Sequence, residues 1–207
     1  MNRFGFRWCV VAVVCLFLLL SPMVGVAQAA DGPLKTIGFM SDFDVKDDAV
    51  GICKAVMDGI APGVHIIDIT QQVTPYDIAE GARFLAGSSP YFPNDAVFVV
   101  VVDPTVGSTR KAIIARSKKG QFFVLPDNGL LTLIQDRDGI EAVREIRNPA
   151  WMIGAKTSST FHGRDIFSPA GAHLAKGDDC KVQCWEVVMQ EKLALHQVER
   201  EVMECPT

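Results

Sequence analysis

The sequence predicts an α/β protein: a mainly parallel sheet flanked by helices, ending in a short helical tail. Two observations predict it. Short apolar segments alternate with segments whose apolar residues recur at helical spacing. One segment, Ala96 to Val102 (AVFVVVV), is continuously apolar, as a central strand buried on both faces must be.

The elements follow in order. Lys35 to Met40 (KTIGFM) reads as a short strand, and Ser41 to Asp48 as an acidic loop. Asp47 to Ile60 places Val50, Cys53, Lys54, Met57 and Ile60 at helical spacing, and Pro62-Gly63 ends that helix. Val64 to Ile69 is a second strand, and Asp77 to Gly87 a second helix beginning just after Pro75. Ala96 to Val102 forms the central strand. Lys111 to Arg116 and Gln121 to Leu125 pair around Lys119-Gly120. Leu130 to Gln135 is a short helix, Ala142 to Ile146 a strand, and Ile166 to Lys176 a helix. Beyond Gly177-Asp178-Asp179, the residues from Val182 to Met203 fit one amphipathic helix through Trp185, Val188, Met189, Leu195, Val198 and Val202.

Composition bounds the function. The chain has 207 residues, 49% hydrophobic and 21% charged, which describes a globular protein rather than a disordered one. A net charge of -4 leaves no excess of cations to meet phosphates, so nucleic acid is not the expected partner. The amino terminus reads as a signal peptide over residues 1–29: Arg3 and Arg7, an apolar run from Trp8 to Leu20, then Ala27-Gln28-Ala29 as a small-residue cleavage site. Its removal takes two bases and no acids, leaving 18 bases against 24 acids. The expected product is an exported, acidic protein with no membrane attachment, organised as a domain over 30–177 and a tail over 178–207. Of six cysteines, Cys53, Cys180, Cys184 and Cys205 remain. Cys180-x3-Cys184 with His173 and His196 matches no common structural zinc spacing.

Candidate chemistry collects where strands end. In an open parallel sheet, ligands bind outside the carboxyl ends of the strands. Asp42 follows the first strand, Asp68 lies in the second, and Asp103 terminates the central one. Asp103-Pro104-Thr105-Val106-Gly107-Ser108-Thr109-Arg110 has the residues of a tight turn that returns Arg110 towards Asp103. Its simpler reading is an ion pair that braces the turn. Pro126-Asp127-Asn128-Gly129 reads as a structural turn. Ser158-Ser159-Thr160-Phe161-His162-Gly163-Arg164-Asp165 packs hydroxyls, an aromatic ring, an imidazole and a guanidinium before a helix, the composition of a binding loop.

These strings, in this order, resemble one family. They are Phe39-Met40-Ser41-Asp42 with Asp47-Asp48, Asp68-Ile69-Thr70, Thr74-Pro75-Tyr76-Asp77, Glu80-Gly81-Ala82-Arg83, Val102-Asp103-Pro104-x-Val106-Gly107, Pro126-Asp127-Asn128-Gly129-Leu130-Leu131 and Ser159 to Asp165. Over about residues 35–177 the chain resembles the S-adenosyl-L-methionine hydroxide adenosyltransferases, relatives of the fluorinase and chlorinase. The resemblance implies hydrolysis of S-adenosyl-L-methionine to adenosine and L-methionine, with no metal and no redox cofactor. It assigns the arrangement or activation of the nucleophilic water to Asp103, Arg110 and His162, a trio that the halogenating branch lacks. It places the ribose hydroxyls on Asp42 and packs Tyr76 on the substrate. Thr160, Phe161 and Gly163 are expected to line the pocket around sugar and sulfonium, and Asp47 to support the acidic loop. A homotrimer is implied too.

Three departures from the family pattern stand out. Asp44 and Thr105 occupy positions usually held by Gly, and Gln71 replaces a usual His. Family members also continue into a second, mostly β domain, which the tail does not match, so the resemblance leaves a catalytically inactive adenosine or S-adenosylmethionine binder as the alternative. A calcium-dependent nucleoside hydrolase is the third reading, suggested by the acidic string Asp42 to Asp48, whose spacing is one residue short of that signature.

Overall fold

The computed structural model describes residues 33–154 and 157–178, together with the backbone of 186–187. The expected signal peptide, the cysteines after Cys53, and most of the tail lie outside the described residues.

Among the described residues, seven strands form one sheet in the order β2-β1-β3-β5-β4-β6-β7. They are β1 (Ile37–Ser41), β2 (Ile66–Thr70), β3 (Val97–Val101), β4 (Ala112–Ser117), β5 (Phe122–Pro126), β6 (Ile140–Glu145) and β7 (Glu186–Val187). The helices are α1 (Ala49–Ile60), α2 (Ile78–Ser88), α3 (Thr132–Asp138) and α4 (Ser168–Lys176). The α/β class is as the sequence predicts. The parallel pairings run through β2, β1, β3 and β5. Beyond β5 the sheet turns antiparallel, because β4 and β5 are joined by a hairpin at Lys118–Gly120 and β6 follows a short helix.

Burial explains the order. The continuous apolar run becomes β3, every residue of which is buried, between β1 and β5. β2 is an edge strand whose Ile67 and Asp68 are exposed. Two apolar layers cover the sheet. On one face Ile37, Phe39, Val97, Val99 and Val101 pack with Met57 of α1 and with Phe167, Ala170 and Leu174 from the α4 region. On the other, Met40, Phe98, Val100, Phe123 and Leu125 pack with Leu85 of α2 and Ile134 of α3. Phe98 and Phe123 stack with centroids 5.0 Å apart, and Phe92 meets Phe98 edge-on at 4.9 Å.

Within the stretch expected as one tail helix, Glu186–Val187 instead pair antiparallel with Arg144 and Glu145 of β6. The outer edge of β6 offers unpaired backbone groups that a passing extended segment satisfies. The rest of the expected helix lies outside the described residues.

Candidate active site

The carboxyl ends of β1 and β3 open onto a cavity of about 400 Å³. It is lined by Asp42, Phe43 and Asp44 after β1, by Pro75 and Tyr76, by Val101, Asp103 and Val106 at the end of β3, and by Thr160 to Gly163. The sequence-predicted Asp42, Tyr76, Asp103, Thr160, Phe161, His162 and Gly163 are therefore brought together.

Arg110 does not line the cavity; it stands behind two residues that do. Its Nη2 donates to Asp103 Oδ2 and also lies 2.9 Å from His162 Nδ1. The turn closes as its composition predicts, with Val106 N donating to the Asp103 carbonyl and Ser108 N to that of Thr105. Thr105 directs both its N–H and its hydroxyl to Asp103 Oδ1, each at 3.3 Å. The side chains of Asp103 and Arg110 are 3% and 9% exposed, so this pair is withdrawn from water and its attraction is little screened. The guanidinium carbon lies 5.3 Å from the Phe167 ring centroid.

The tautomer of His162 follows. Arginine has no lone pair with which to accept, so Nδ1 accepts from Arg110 and the ring proton resides on Nε2. Burial lowers the imidazole pKa, and the adjacent positive Arg110 lowers it further, although negative Asp103 opposes them. The ring is thus neutral at pH 7. The Ser158 backbone carbonyl faces it and favours a ring N–H.

Asp42 answers to different forces. Burial raises its pKa, the N–H of Tyr76 donating to Oδ2 at 2.9 Å opposes that rise, and Asp103 adds like-charge repulsion. Tyr76 itself has φ +68° and is 68% exposed, which stands its ring up at the cavity rim. The preceding turn is held by Glu80, which accepts from Thr74 N at 2.6 Å, and by Asp77, which caps α2 through Glu80 N at 2.8 Å.

The remaining wall is aromatic. Phe43 and Phe161 meet edge to face with centroids 5.7 Å apart. Gly163 fits here because a Cβ on it would come within 2.7 Å of the Phe43 ring. Gly163–Phe167 form one π-helical turn leading into α4, a widened turn that often accompanies functional sites.

Two candidate acids fall outside. Asp47 does not line the cavity; its Oδ1 accepts from Ala49 N at 3.0 Å and supports the start of α1. Asp68 is held by Lys54 at 2.5 Å and by Gln71 at 2.9 Å. Phe43, Asp44, Pro75, Val101 and Val106 also line the cavity; the sequence offers none of them as a substrate-site residue, although Asp44, Pro75 and Val106 stand in its quoted strings and Phe43 directly follows Asp42. Asn128 braces the end of β3, donating to the Val102 carbonyl at 2.8 Å.

Residues 37–183 match the family model described as SAM hydroxide adenosyltransferase N-terminal domain. The chain belongs to this family. The (R)-S-adenosyl-L-methionine hydrolase of Salinispora arenicola is 44% identical over 142 residues, which cover 68% of this chain and 53% of that protein. The hydrolase of the same name from Thermus thermophilus is 39% identical over 153 residues, covering 70% of this chain and 58% of that one. A fluorinase of Actinoplanes is 32% identical over 163 residues, covering 68% and 54% of the two chains. Among solved structures, an uncharacterized conserved protein of Thermotoga maritima aligns with a TM-score of 0.73 at 42% identity, covering 74% of this chain and 59% of its own. The chain spans about half the length of the curated relatives it matches.

The Gly that the resemblance expects at position 44 has a structural reason. Asp44 has φ +63°, the left-handed region, where Asp is one of the few residues tolerated in place of Gly. Its Oδ1 accepts from Val45 N at 2.7 Å and from Gln72 Nε2 at 3.0 Å. Gln71, where the resemblance expects His, is buried; its amide reaches Asp68 while its Oε1 accepts from the Ser41 hydroxyl at 2.5 Å.

Proposed function

We propose that this protein hydrolyses S-adenosyl-L-methionine to adenosine and L-methionine, water attacking the ribose C5′. The observation that carries the reading is the single Arg110 Nη2 shared between Asp103 and His162 at the cavity wall. The names of the hydrolase relatives support the substrate.

The chemistry needs little at the leaving-group end. As the water oxygen bonds to C5′, the C5′–S bond breaks and its electron pair returns to sulfur, so methionine leaves as a neutral thioether. The difficulty is the nucleophile, because free water has a pKa of about 15.7. Asp103 is the group suited to accept its proton. His162 is not, since its Nδ1 lone pair is already committed to Arg110. His162 and Arg110 instead hold the carboxylate in one orientation, which supplies a fixed acceptor in a dry setting. Asp42 accepts from the ribose hydroxyls, Phe43, Phe161 and Tyr76 pack on the nucleoside, and Thr160 and Gly163 border the sugar.

The acidic string does not support the calcium reading, for among the described residues no three metal-ligating side chains converge. Export follows from the basic, apolar and small-residue segments of residues 1–29. The family resemblance supports a homotrimer. Among the described residues, no helix is long and apolar enough to cross a membrane.

The test is incubation of the purified protein with S-adenosyl-L-methionine, following both products by chromatography. Equimolar adenosine and methionine are expected. His162→Ala is expected to lower turnover about 10²-fold, through the misplaced carboxylate, while adenosine still binds. Adenosine binding without turnover in the unsubstituted protein would favour the inactive binder.

A further inference from the structure

One buried carboxylate beside the cavity has no part in the chemistry above. Asp165 is 2% exposed. An ionised carboxylate so buried costs several kcal/mol unless its oxygens are satisfied. Here both are. Oδ2 accepts from Ser158 N at 2.6 Å and Oδ1 from Arg164 Nε at 2.6 Å. Burial pushes its pKa up, but Arg164 and the Ser158 N–H outweigh it and hold the carboxyl below its ordinary value. The Asp165 backbone is fixed too, its carbonyl accepting from Ile153 N at 2.9 Å.

We propose that Asp165 is a positioning residue for the Asp103–Arg110–His162 cluster, acting through the segment Ser158–Thr160. This rests on the hydrolytic reading of the cavity. Two paths lead from the carboxylate. Along the first, Asp165 anchors the N–H of Ser158, and the Ser158 hydroxyl accepts from Thr160 N at 3.1 Å. The Ser159 carbonyl between them presses on Gly107, where a Cβ would sit 2.3 Å from that oxygen. Gly107 lies in the turn that carries Asp103 and Arg110. The carbonyl of Ser158 itself faces the His162 ring. Along the second path, Arg164 is held with its guanidinium carbon 5.1 Å from the Phe161 ring centroid, behind the cavity wall. One carboxylate therefore sets the loop from which His162 projects and the loop against which the catalytic turn rests.

The test is Asp165→Asn in the full chain, which keeps the shape and one acceptor but removes the charge. Three quantities are measured: turnover of S-adenosyl-L-methionine, affinity for adenosine, and the ¹⁵N signals of the His162 ring. The unsubstituted protein should show one tautomer, protonated at Nε2. The variant is expected to lose about 10- to 100-fold in kcat, as a displaced reacting group does. Its adenosine affinity should hold within about twofold, and its His162 signals should move towards a mixture of tautomers. A lower Tm with kcat and the tautomer signals unchanged overturns the proposal. If Asp165→Asn does not fold, Arg164→Gln loosens the same carboxylate from its more exposed side. It should then produce the same tautomer change, and unaltered signals overturn the proposal equally. Should the unsubstituted protein release no adenosine from S-adenosyl-L-methionine, the hydrolytic reading fails, while the ring signals still decide whether Asp165 positions His162.

Discussion

Arg110 spends both hydrogens of one nitrogen on two partners of different character: Asp103, a carboxylate, and His162, a neutral ring. The second bond exists only while His162 Nδ1 is unprotonated, which makes the site sensitive to acid. The folded-state pKa of His162 lies below its ordinary value of about 6.5, first through burial and then through Arg110. As pH falls below 6.5, the unfolded chain takes up the proton before the folded one does. The stability contributed by the neutral ring is therefore complete above that value and is lost as pH falls through the depressed folded-state pKa. Urea unfolding of the protein and of His162→Gln at about pH 7.5 and about pH 5.5 checks this, the variant being expected to lose less stability on acidification. Turnover should show an acid limb with its midpoint below about 6.5.

At the scale of elements, the loop after β1 depends on a residue in an unusual conformation. Asp44 at φ +63° joins the acidic loop to Gln72, and Asp44 N donates to the Gln71 carbonyl at 2.7 Å. A left-handed residue with a Cβ costs roughly 1–2 kcal/mol relative to glycine, and Asp recovers part of this through local hydrogen bonds. Asp44→Ala keeps the strain and loses the bonds; Asp44→Gly loses the bonds and the strain together. Thermal unfolding should therefore rank Asp44→Ala clearly below both Asp44→Gly and the unsubstituted protein. Equal melting of the Ala and Gly variants would show that backbone conformation is not what matters at this position. The strand itself needs no such device, since all of β1 is buried between β2 and β3.

Across the whole molecule, the site depends on a sheet held from both faces. Phe98 is fully buried, stacked on Phe123 and met by Phe92, on the face opposite α1 and α4. Phe98→Ala should cost about 3–5 kcal/mol through lost burial and the cavity left behind. For a chain of this size each kcal/mol lowers Tm by roughly 2–4 °C. Adenosine affinity measured well below the new Tm should be unchanged, because Phe98 is in the interior and the cavity is lined by other residues.

The sequence by itself determined the α/β class, the central strand and the helices of the described residues, because burial on two faces or on one stripe imposes a period that the residue pattern displays. It also marked part of the cavity, since Asp42 and Asp103 directly follow apolar strands and His162 stands in a hydroxyl-rich string before a helix, while Tyr76, Thr160, Phe161 and Gly163 came through the family resemblance. It could not separate Asp68 from Asp42 and Asp103: all three belong to the carboxyl-terminal parts of apolar strands, and in the structure Asp68, exposed on the edge strand β2, is held by Lys54 and Gln71. Nor could it show which strand of the Lys111–Leu125 pair joins the parallel part: the short turn makes the pair antiparallel, but only the packed sheet seats β5 rather than β4 beside β3. The sharing of Arg110 between Asp103 and His162, and the hold of Asp165 on Ser158, were decided by tertiary structure alone. Residues 52 positions apart, as Arg110 and His162 are, meet only after the sheet has brought two loops to one edge, and no local pattern encodes that distance.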